Sequence, residues 1–391
     1  MKIVIVGAGK VGVALTRHLA VENRVTVIDQ NPHLVENIIN IYDVMGVCGN
    51  GASYDVQKEA DVEQADLLIA TTSSDEINIL TCLVAKKMGV QHTIARIRSP
   101  EYGRQLRFMR SELGLSMAIN PEAATAREIA RVLRFPTAMK LESFSKGRLE
   151  LVEYRVAEHT ALDGTRLSEL YRNFKVRVLI CAVARQGETI IPSGDFTLRA
   201  GDKIYLTAAP RELEKFFRLL GVFRARASSV MIVGASKMCY YLASELLEMG
   251  MSVKIIDQNE QRCVEMSEKL PRALVIVGDG TDSELLSEEG ISQTDAFVAI
   301  TGLDEANILM ALSAAKQSGD CCKVVAKINR KSLLELVSTE SLIDSVVSTG
   351  AVTTELILQY IRAMKNASAS KVKTLHRIVD EKVEAPEFSV T

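Results

Sequence analysis

The sequence predicts two tandem α/β domains, each a doubly wound parallel sheet, with a small α/β module between them. Three observations carry this. A glycine turn lies directly between an apolar run and a helical pattern at Lys2–Asp29, KIVIVGAGKVGVALTRHLAVENRVTVID. Apolar runs and helical stretches then alternate, as successive β-α-β units require. The same pattern returns later in the chain at an offset that stays between 227 and 231 residues, which marks two copies of one domain.

The first stretch reads as a strand (3–6), a turn with Gly7, Gly9 and Gly12, a helix, and a second strand ending in Asp29. G-x-G-x-x-G after a strand, opening a helix, with an acid 22 residues after Gly7, is the context of a dinucleotide-binding fingerprint of Rossmann type. Gly7 makes the tight turn, Gly9 lets a pyrophosphate approach the backbone, and Gly12 lets helix and strand pack closely. Lys10 and Val11 fall inside this loop, at a helix N-terminus whose N–H groups and dipole favour phosphate. Asp29 suits both hydroxyls of an adenosine ribose. Gln30 and Asn31 follow it, with no Arg to hold a 2′-phosphate, so NAD(H) is favoured over NADP(H). The plainer alternative is a strand–turn–helix without a ligand.

Residues 1–135 continue the alternation: helix 31–40, strand 43–48, the loop Gly49-Asn50-Gly51, helix 53–60, and strand 65–70. The polar loop Thr71-Thr72-Ser73-Ser74-Asp75 then caps a helix over 76–88. Strand 92–97, a helix near 100–110, and a helix at 121–133 follow, the last opened by Pro121 and closed by Phe135-Pro136. Residues 136–221 change rhythm. Strands at 149–156, 177–184 and 203–208, helices at 166–173 and 210–220, and turns at 190–195 and 198–202 make a compact, turn-rich α/β module.

Residues 228–365 repeat the first domain. Gly234-Ala-Ser236-Lys-Met-Cys239 matches Gly7 to Gly12, Asp257-Gln-Asn matches Asp29-Gln-Asn, Gly278-Asp279-Gly matches Gly49-Asn50-Gly, and Asp304-Glu-Ala-Asn307 matches Asp75-Glu-Ile-Asn78. Ser236 replaces the middle glycine and Cys239 the last, so this site is expected to be weaker or to take a smaller or different nucleotide. Residues 366–391 read as a linker and the start of a second small module. Lys382–Val390 resembles Arg148–Val156, the chain stops there, and 383–391 is expected to be poorly ordered unless it borrows a neighbour.

Composition excludes several classes. The 391 residues carry a formal charge of −2, with no footprint for nucleic acid or an anionic membrane. No apolar run approaches 18 residues, so no transmembrane helix is expected, and Met1 leads straight into the first strand. Seven scattered cysteines lack metal-ligand spacing; vicinal Cys321-Cys322 reads as small hydrophobes before a redox pair. A reducing cytoplasm is expected.

The order of parts resembles the TrkA family of potassium-uptake regulators, built from RCK (KTN) domains. The resemblance rests on Gly7–Gly12, Thr72–Glu76, Ala95-Arg-Ile-Arg-Ser-Pro100, Asp279, Asp304–Asn307 and Ile328-Asn-Arg330, with the I-x-P-x-G-D of the small module, and covers essentially the whole chain. It implies a cytoplasmic, non-enzymatic subunit, peripheral to the inner face of the membrane. It implies a homo-oligomer, a tetrameric ring or a dimer, under an integral-membrane potassium transporter of the TrkH/TrkG type. NAD(H) and ATP/ADP are the ligands it implies. A regulator of a different ion transporter would look much the same.

Ligands of open α/β sheets lie outside the carboxyl ends of the strands. This gathers Gly7–Gly12, Asp29, Asn50 (toward the adenine edge) and Thr71, Thr72, Ser73 and Asp75 around one cleft. Gly234, Ser236, Asp257 and Asp279 form its counterpart. Lys10 has two readings, a phosphate contact or a solvated surface residue. Arg96 and Arg98 share one face of a strand, for a phosphate or for salt bridges to neighbouring carboxylates. Asp75 reads first as a helix cap and second as a nucleotide contact.

The rival reading is an NAD-dependent oxidoreductase. It needs an acid or base beside the cofactor. Of the five histidines (18, 33, 92, 159, 376), His18 and His33 fall in helices, His92 begins a strand, and His159 lies in the small module with no obvious partner. Tyr240-Tyr241 lacks a Lys at the step of a reductase dyad.

Overall fold

The structure, a computed structural model, describes residues 1–102, 113–134, 140–144, 149–221, 227–319, 322–337, 343–367, 372–378 and 383–388. They fall into two compact units, Met1–Ala126 with Ser348–Ile357, and Arg127–Val347 with Leu358–Thr391.

In the first unit, short apolar runs become strands covered on both faces. These are β1 (Lys2–Val6), β2 (Arg24–Asp29), β3 (Met45–Cys48), β4 (Leu67–Ala70), β5 (His92–Arg96) and β6 (Met117–Ile119). All pair in parallel, in the order β3-β2-β1-β4-β5-β6. Helices α1 (Lys10–Leu19), α2 (Pro32–Ile41), α3 (Tyr54–Glu59) and α4 (Asp75–Lys87) lie between successive strands. Chain order reverses between β1 and β4, so the loops after those two strands diverge and leave a crevice. Val4, Val6, Ile28, Leu68, Cys82 and Ala85 belong to one core cluster beneath it. β6 was not expected, because three residues are too few to show a period. The helix expected near 100–110 falls mostly outside the described residues.

Next comes α5 (Pro121–Arg134), which Asn120 caps: the Ala123 N–H donates to Asn120 Oδ1 at 2.8 Å. The first six residues of α5 belong to the first unit and the rest to the second. The Phe135-Pro136 stop lies outside the described residues.

The second unit holds a five-stranded antiparallel sheet and a second parallel sheet. The former comprises β7 (Lys140–Phe144), β8 (Leu149–Arg155), β9 (Leu179–Arg185), β10 (Glu188–Ile190) and β11 (Lys203–Ala208), ordered β10-β9-β11-β8-β7. Two helices, α6 (Leu170–Phe174) and α7 (Pro210–Leu219), pack Phe174, Phe216 and Phe217 into its core. The expected helix at 166–173 is a 3₁₀ turn followed by the short α6.

The second parallel sheet uses β12 (Ser229–Val233), β13 (Ser252–Asp257), β14 (Leu274–Val277), β15 (Ala296–Ala299), β16 (Lys323–Lys327) and β17 (Ser345–Val347). Its order, β14-β13-β12-β15-β16-β17, repeats that of the first. The helices are α8 (Lys237–Glu248), α9 (Glu260–Lys269), α10 (Ser283–Glu288), α11 (Asp304–Ser318), α12 (Lys331–Val337) and α13 (Thr349–Ala367). Cys322 is buried, in line with a small hydrophobe; Cys321 lies outside the described residues.

Beyond α13, β18 (Val372–Ile378) and β19 (Val383–Phe388) pair antiparallel. The preceding residues, read as linker, supply 383–388 with a partner strand, the borrowed neighbour on which order there was expected to depend. β18 and β19 pair as β7 and β8 do, so the likeness of Lys382–Val390 to Arg148–Val156 extends to strand pairing.

Close packing on β1, and on β12 in the second repeat, fixes one glycine in each. A Cβ on Gly51 would stand 2.1 Å from Val6 Cγ1, and one on Gly280 would stand 2.2 Å from Val233 Cγ1. Neither valine can yield, being buried in a central strand. Gly51→Ala and Gly280→Ala should each destabilise by about 1–3 kcal/mol through overpacking, read as a lower denaturation midpoint in urea. Gly9→Ala, whose Cβ meets nothing within 4 Å, should not do so.

Candidate nucleotide-binding site

The crevice of the first unit is built around the start of α1. Gly7 has φ +104°, and a Cβ there would lie 2.9 Å from the backbone of Thr71 and Thr72, so conformation and space both demand glycine. A Cβ on Gly12 would come within 1.8 Å of Gly7 O. Gly9 is the N-cap of α1, with extended backbone and no side chain to bond the first-turn N–H groups. A Cβ at Gly9 would meet nothing within 4 Å. The glycine therefore keeps the helix end bare and open, which is what a pyrophosphate needs. The first turn of α1 carries no acid, and Lys10 stands exposed on it. Val11 is buried, so only its backbone is available to a ligand.

Asp29 ends β2 beside this loop. The Ala8 N–H donates to Asp29 Oδ2 at 2.6 Å, and the Asn31 N–H donates to Oδ1 at 2.8 Å. The carboxylate thus ties the glycine loop to β2. Each oxygen keeps capacity for a further donor such as a ribose hydroxyl. Asn50, after β3, is exposed, and its Oδ1 accepts the Ala52 N–H at 3.1 Å in a local turn.

The loop after β4 forms the other wall. Buried Thr71 donates its hydroxyl to Val6 O and Gly7 O, both at 3.2 Å. The Thr72 N–H and Oγ1 both donate to Asn78 Oδ1, at 2.8 and 2.7 Å. Asn78 is wholly buried, and its Nδ2 donates to Arg96 O at 2.8 Å. This side chain ties the Thr72 loop to the end of β5. Ser73 is exposed, and its carbonyl accepts from the Arg98 guanidinium.

Asp75 corrects an expectation. The cap of α4 is Ser74, whose Oγ accepts the Ile77 N–H at 3.2 Å. Asp75 sits one residue further on, buried, and its Oδ2 accepts the N–H groups of Arg98 and Ser99, both at 2.8 Å. Its side chain points back across the sheet end, where it organises the turn after β5. Arg98 Nε stands 3.6 Å from Asp75 Oδ1, and Arg96 Nη2 lies 3.4 Å from Glu122 Oε1 at the start of α5. Burial lowers the Arg96 pKa, partly opposed by Glu122. Both arginines are therefore held by carboxylates at the crevice rim.

The second repeat keeps the frame and alters the cradle. Ala235 N–H donates to Asp257 Oδ2 at 2.7 Å, and Asn259 N–H to Oδ1 at 2.8 Å. Asn307 joins Thr301 to Lys327 as Asn78 joins Thr72 to Arg96. Gly234, at φ +113°, keeps the tight turn. But Ser236, the N-cap of α8, accepts the Cys239 N–H on its own hydroxyl at 3.4 Å. The helix end that a phosphate would use is capped from within. Cys239 is fully buried, and burial raises its thiol pKa. Asp279 is exposed, and its Oδ1 accepts the Thr281 N–H and hydroxyl, which hold its carboxyl below the ordinary value.

The structure thus joins Gly7–Gly12, Asp29 and Thr71 by direct hydrogen bonds. It ties Thr72, Ser73, Asp75, Arg96 and Arg98 into the adjoining rim, and leaves Asn50 in its own turn. The sequence reading overlooked Asn78 and Glu122 as site residues. An amide in the apolar run Ile-Asn-Ile-Leu, repeated at Asn307, was the available signal for the first.

Tandem doubly wound sheets, one with an open glycine cradle of dinucleotide type, and an antiparallel module between them in the chain define a protein with two domains of Rossmann type. Residues 3–121 and 230–349 match the TrkA-N domain, and 151–221 match the TrkA-C domain. The Trk system potassium uptake protein TrkA of Vibrio alginolyticus is 34% identical over 390 residues, covering 98% of this chain and 84% of that protein. A TrkA homolog of Archaeoglobus fulgidus is 32% identical over 374 residues, covering 95% and 84%. The chain belongs to the TrkA family of potassium uptake proteins. Its fold is shared with the GsuK channel bound to NAD, at TM-score 0.70 and 21% identity over 96% of this chain and 66% of that one. It is shared also with GsuK bound to ADP, at TM-score 0.60 and 16% identity over 93% and 69%. Among the described residues, no helix is long and apolar enough to cross a membrane.

Gly9→Ser separates binding from folding. A serine here would cap α1 as Ser236 caps α8, so thermal stability should hold or rise by a few tenths of a kcal/mol. Affinity for a pyrophosphate-bearing nucleotide should fall at least about tenfold, since a side chain enters the space its phosphates need. Calorimetric titration beside a thermal melt reads both quantities.

Proposed function

We propose that the chain is a nucleotide-sensing regulatory subunit of a potassium uptake system. It binds NAD(H), and in alternation ADP or ATP, at the first glycine loop. The observation that carries this reading is the uncapped α1 end at Gly9, flanked by Asp29. An open N-terminus accepts phosphate, and the acid one strand away accepts ribose. Family membership supplies the transport role. The structures of GsuK bound to NAD and to ADP support both ligand classes.

The partner is a potassium-translocating membrane protein, with the chain on its cytoplasmic side as part of a homo-oligomeric ring. A bound nucleotide shifts the equilibrium between arrangements of the two units by its differential affinity for them. The α5 helix, divided between the units after Ala126, is one covalent route for that shift. Regulation rather than catalysis is also supported by where histidines fall. His18 is in the last turn of α1 and His92 opens β5, at the end of the sheet away from the crevice, and His33 is exposed on α2.

Titration with NADH, NAD, ADP and ATP tests the proposal. Binding should be weakened at least about tenfold by Asp29→Ala, which removes the ribose acceptor and leaves the Ala8 N–H without its partner. NADH should not be consumed over a panel of carbonyl substrates. Turnover at an enzymatic rate would sink the regulatory reading, and failure of all four nucleotides to bind would sink the sensor.

A further inference from the structure

The Arg96–Glu122 pair joins the crevice rim to the helix that leaves the domain. Arg96 is the last residue of β5, and its carbonyl is fixed by Asn78 at 2.8 Å. Glu122 lies in the first turn of α5. Their side chains are each 17% exposed, and one contact of 3.4 Å joins them. Arg96 Nε and Glu122 Oε2 are buried without a hydrogen-bond partner among the described residues. The pair is therefore desolvated yet only partly satisfied. A guanidinium in that state gains from an anion that offers two oxygens.

The internal repeat supplies a control. Both repeats keep the sheet order, the aspartate on the glycine loop and the buried asparagine. The Glu122 carboxylate is not kept. Lys327 stands where Arg96 does, and its Nζ donates to Ile300 O at 3.4 Å. Counting from β6 and β17, Gly350 stands where Glu122 does. The fold thus forms without the pair. The pair occurs in the repeat whose helix end is open and is missing from the repeat whose helix end is self-capped.

We infer that Arg96 and Glu122 form a displaceable latch, in which a nucleotide phosphate takes the Arg96 guanidinium and releases Glu122 with the first turn of α5. The inference rests on the nucleotide reading above. The exchange is one of ion-pair partners. Before binding, Arg96 holds Glu122; afterwards Arg96 holds a phosphate oxygen, and Glu122 keeps the favourable end of its own helix. Asn120, which caps α5 and donates to Arg98 O at 3.2 Å, keeps the helix start near the crevice throughout.

The test uses the full chain, with ADP and adenosine as probes. Glu122→Gln keeps the shape and removes the competing charge. ADP affinity should rise about fivefold, the scale of a modest ion pair. Adenosine, which has no phosphate, should bind wild type and variant alike. Hydrogen exchange of residues 121–126 should quicken with ADP in wild type and should not respond to ADP in Glu122→Gln. Glu122→Asp, which restores the charge, should return both readouts toward wild type. A variant with wild-type ADP affinity, a gain that extends to adenosine, or an exchange response that persists would each overturn the latch. If wild type binds ADP and the latch fails, only this inference falls; if wild type binds no nucleotide, the sensor reading falls with it.

Discussion

An α-helix begins with N–H groups that its own backbone cannot satisfy, and what meets them decides the character of each repeat. At α1 no capping side chain does: Gly9 brings none, and the first turn carries no acid. At α8 a serine hydroxyl does. One carbon and one oxygen at the N-cap separate an uncapped helix end from a capped one on the same sheet topology. The rest of the first repeat reads as support for that bare end. Asp29 fixes the loop from β2, and Thr71 fixes it from β4.

From the loop a run of short contacts crosses the carboxyl edge of the sheet. Thr71 holds Gly7, the adjoining Thr72 binds Asn78, and Asn78 binds the Arg96 carbonyl. Asp75 gathers the backbone beyond β5, and Asn120 and Glu122 bring the start of α5 to the same place. Polar side chains buried at this edge are costly unless bonded, and Asn78 spends its amide on three backbone groups and a hydroxyl. That expense makes the edge rigid, so charge arriving at the crevice acts on a defined set of partners. The division of α5 between two compact units gives the edge an outlet.

Much of this was legible in the sequence. The strand, glycine turn, helix and acid from Lys2 to Asp29 declare a dinucleotide fold because Gly7 and Gly12 answer local steric demands and Gly9 leaves the helix end without a capping side chain. The near-constant spacing of the second set of motifs declares a repeat. Other features depend on contacts between distant residues, which local pattern does not reveal. Asp75 looks like a cap because it precedes a helix; only the return of β5 beside it supplies the Arg98 and Ser99 N–H groups that it accepts. The three-residue strands β6 and β17 are set by their neighbours in the sheet rather than by any period of their own. The pairing of Glu122 with Arg96 joins residues from separate elements. The β18–β19 pair was hidden for a different reason: its second strand was matched to the small module, while its first looked like linker.

The central claim is an asymmetry: one open phosphate cradle per chain, in the first repeat. Equilibrium dialysis with labelled ADP, counting molecules bound per chain at saturation, tests it most directly. The account predicts one, with its label transferred by photocrosslinking to a peptide of the first repeat. Two bound per chain, or one crosslinked within 228–365, would contradict it.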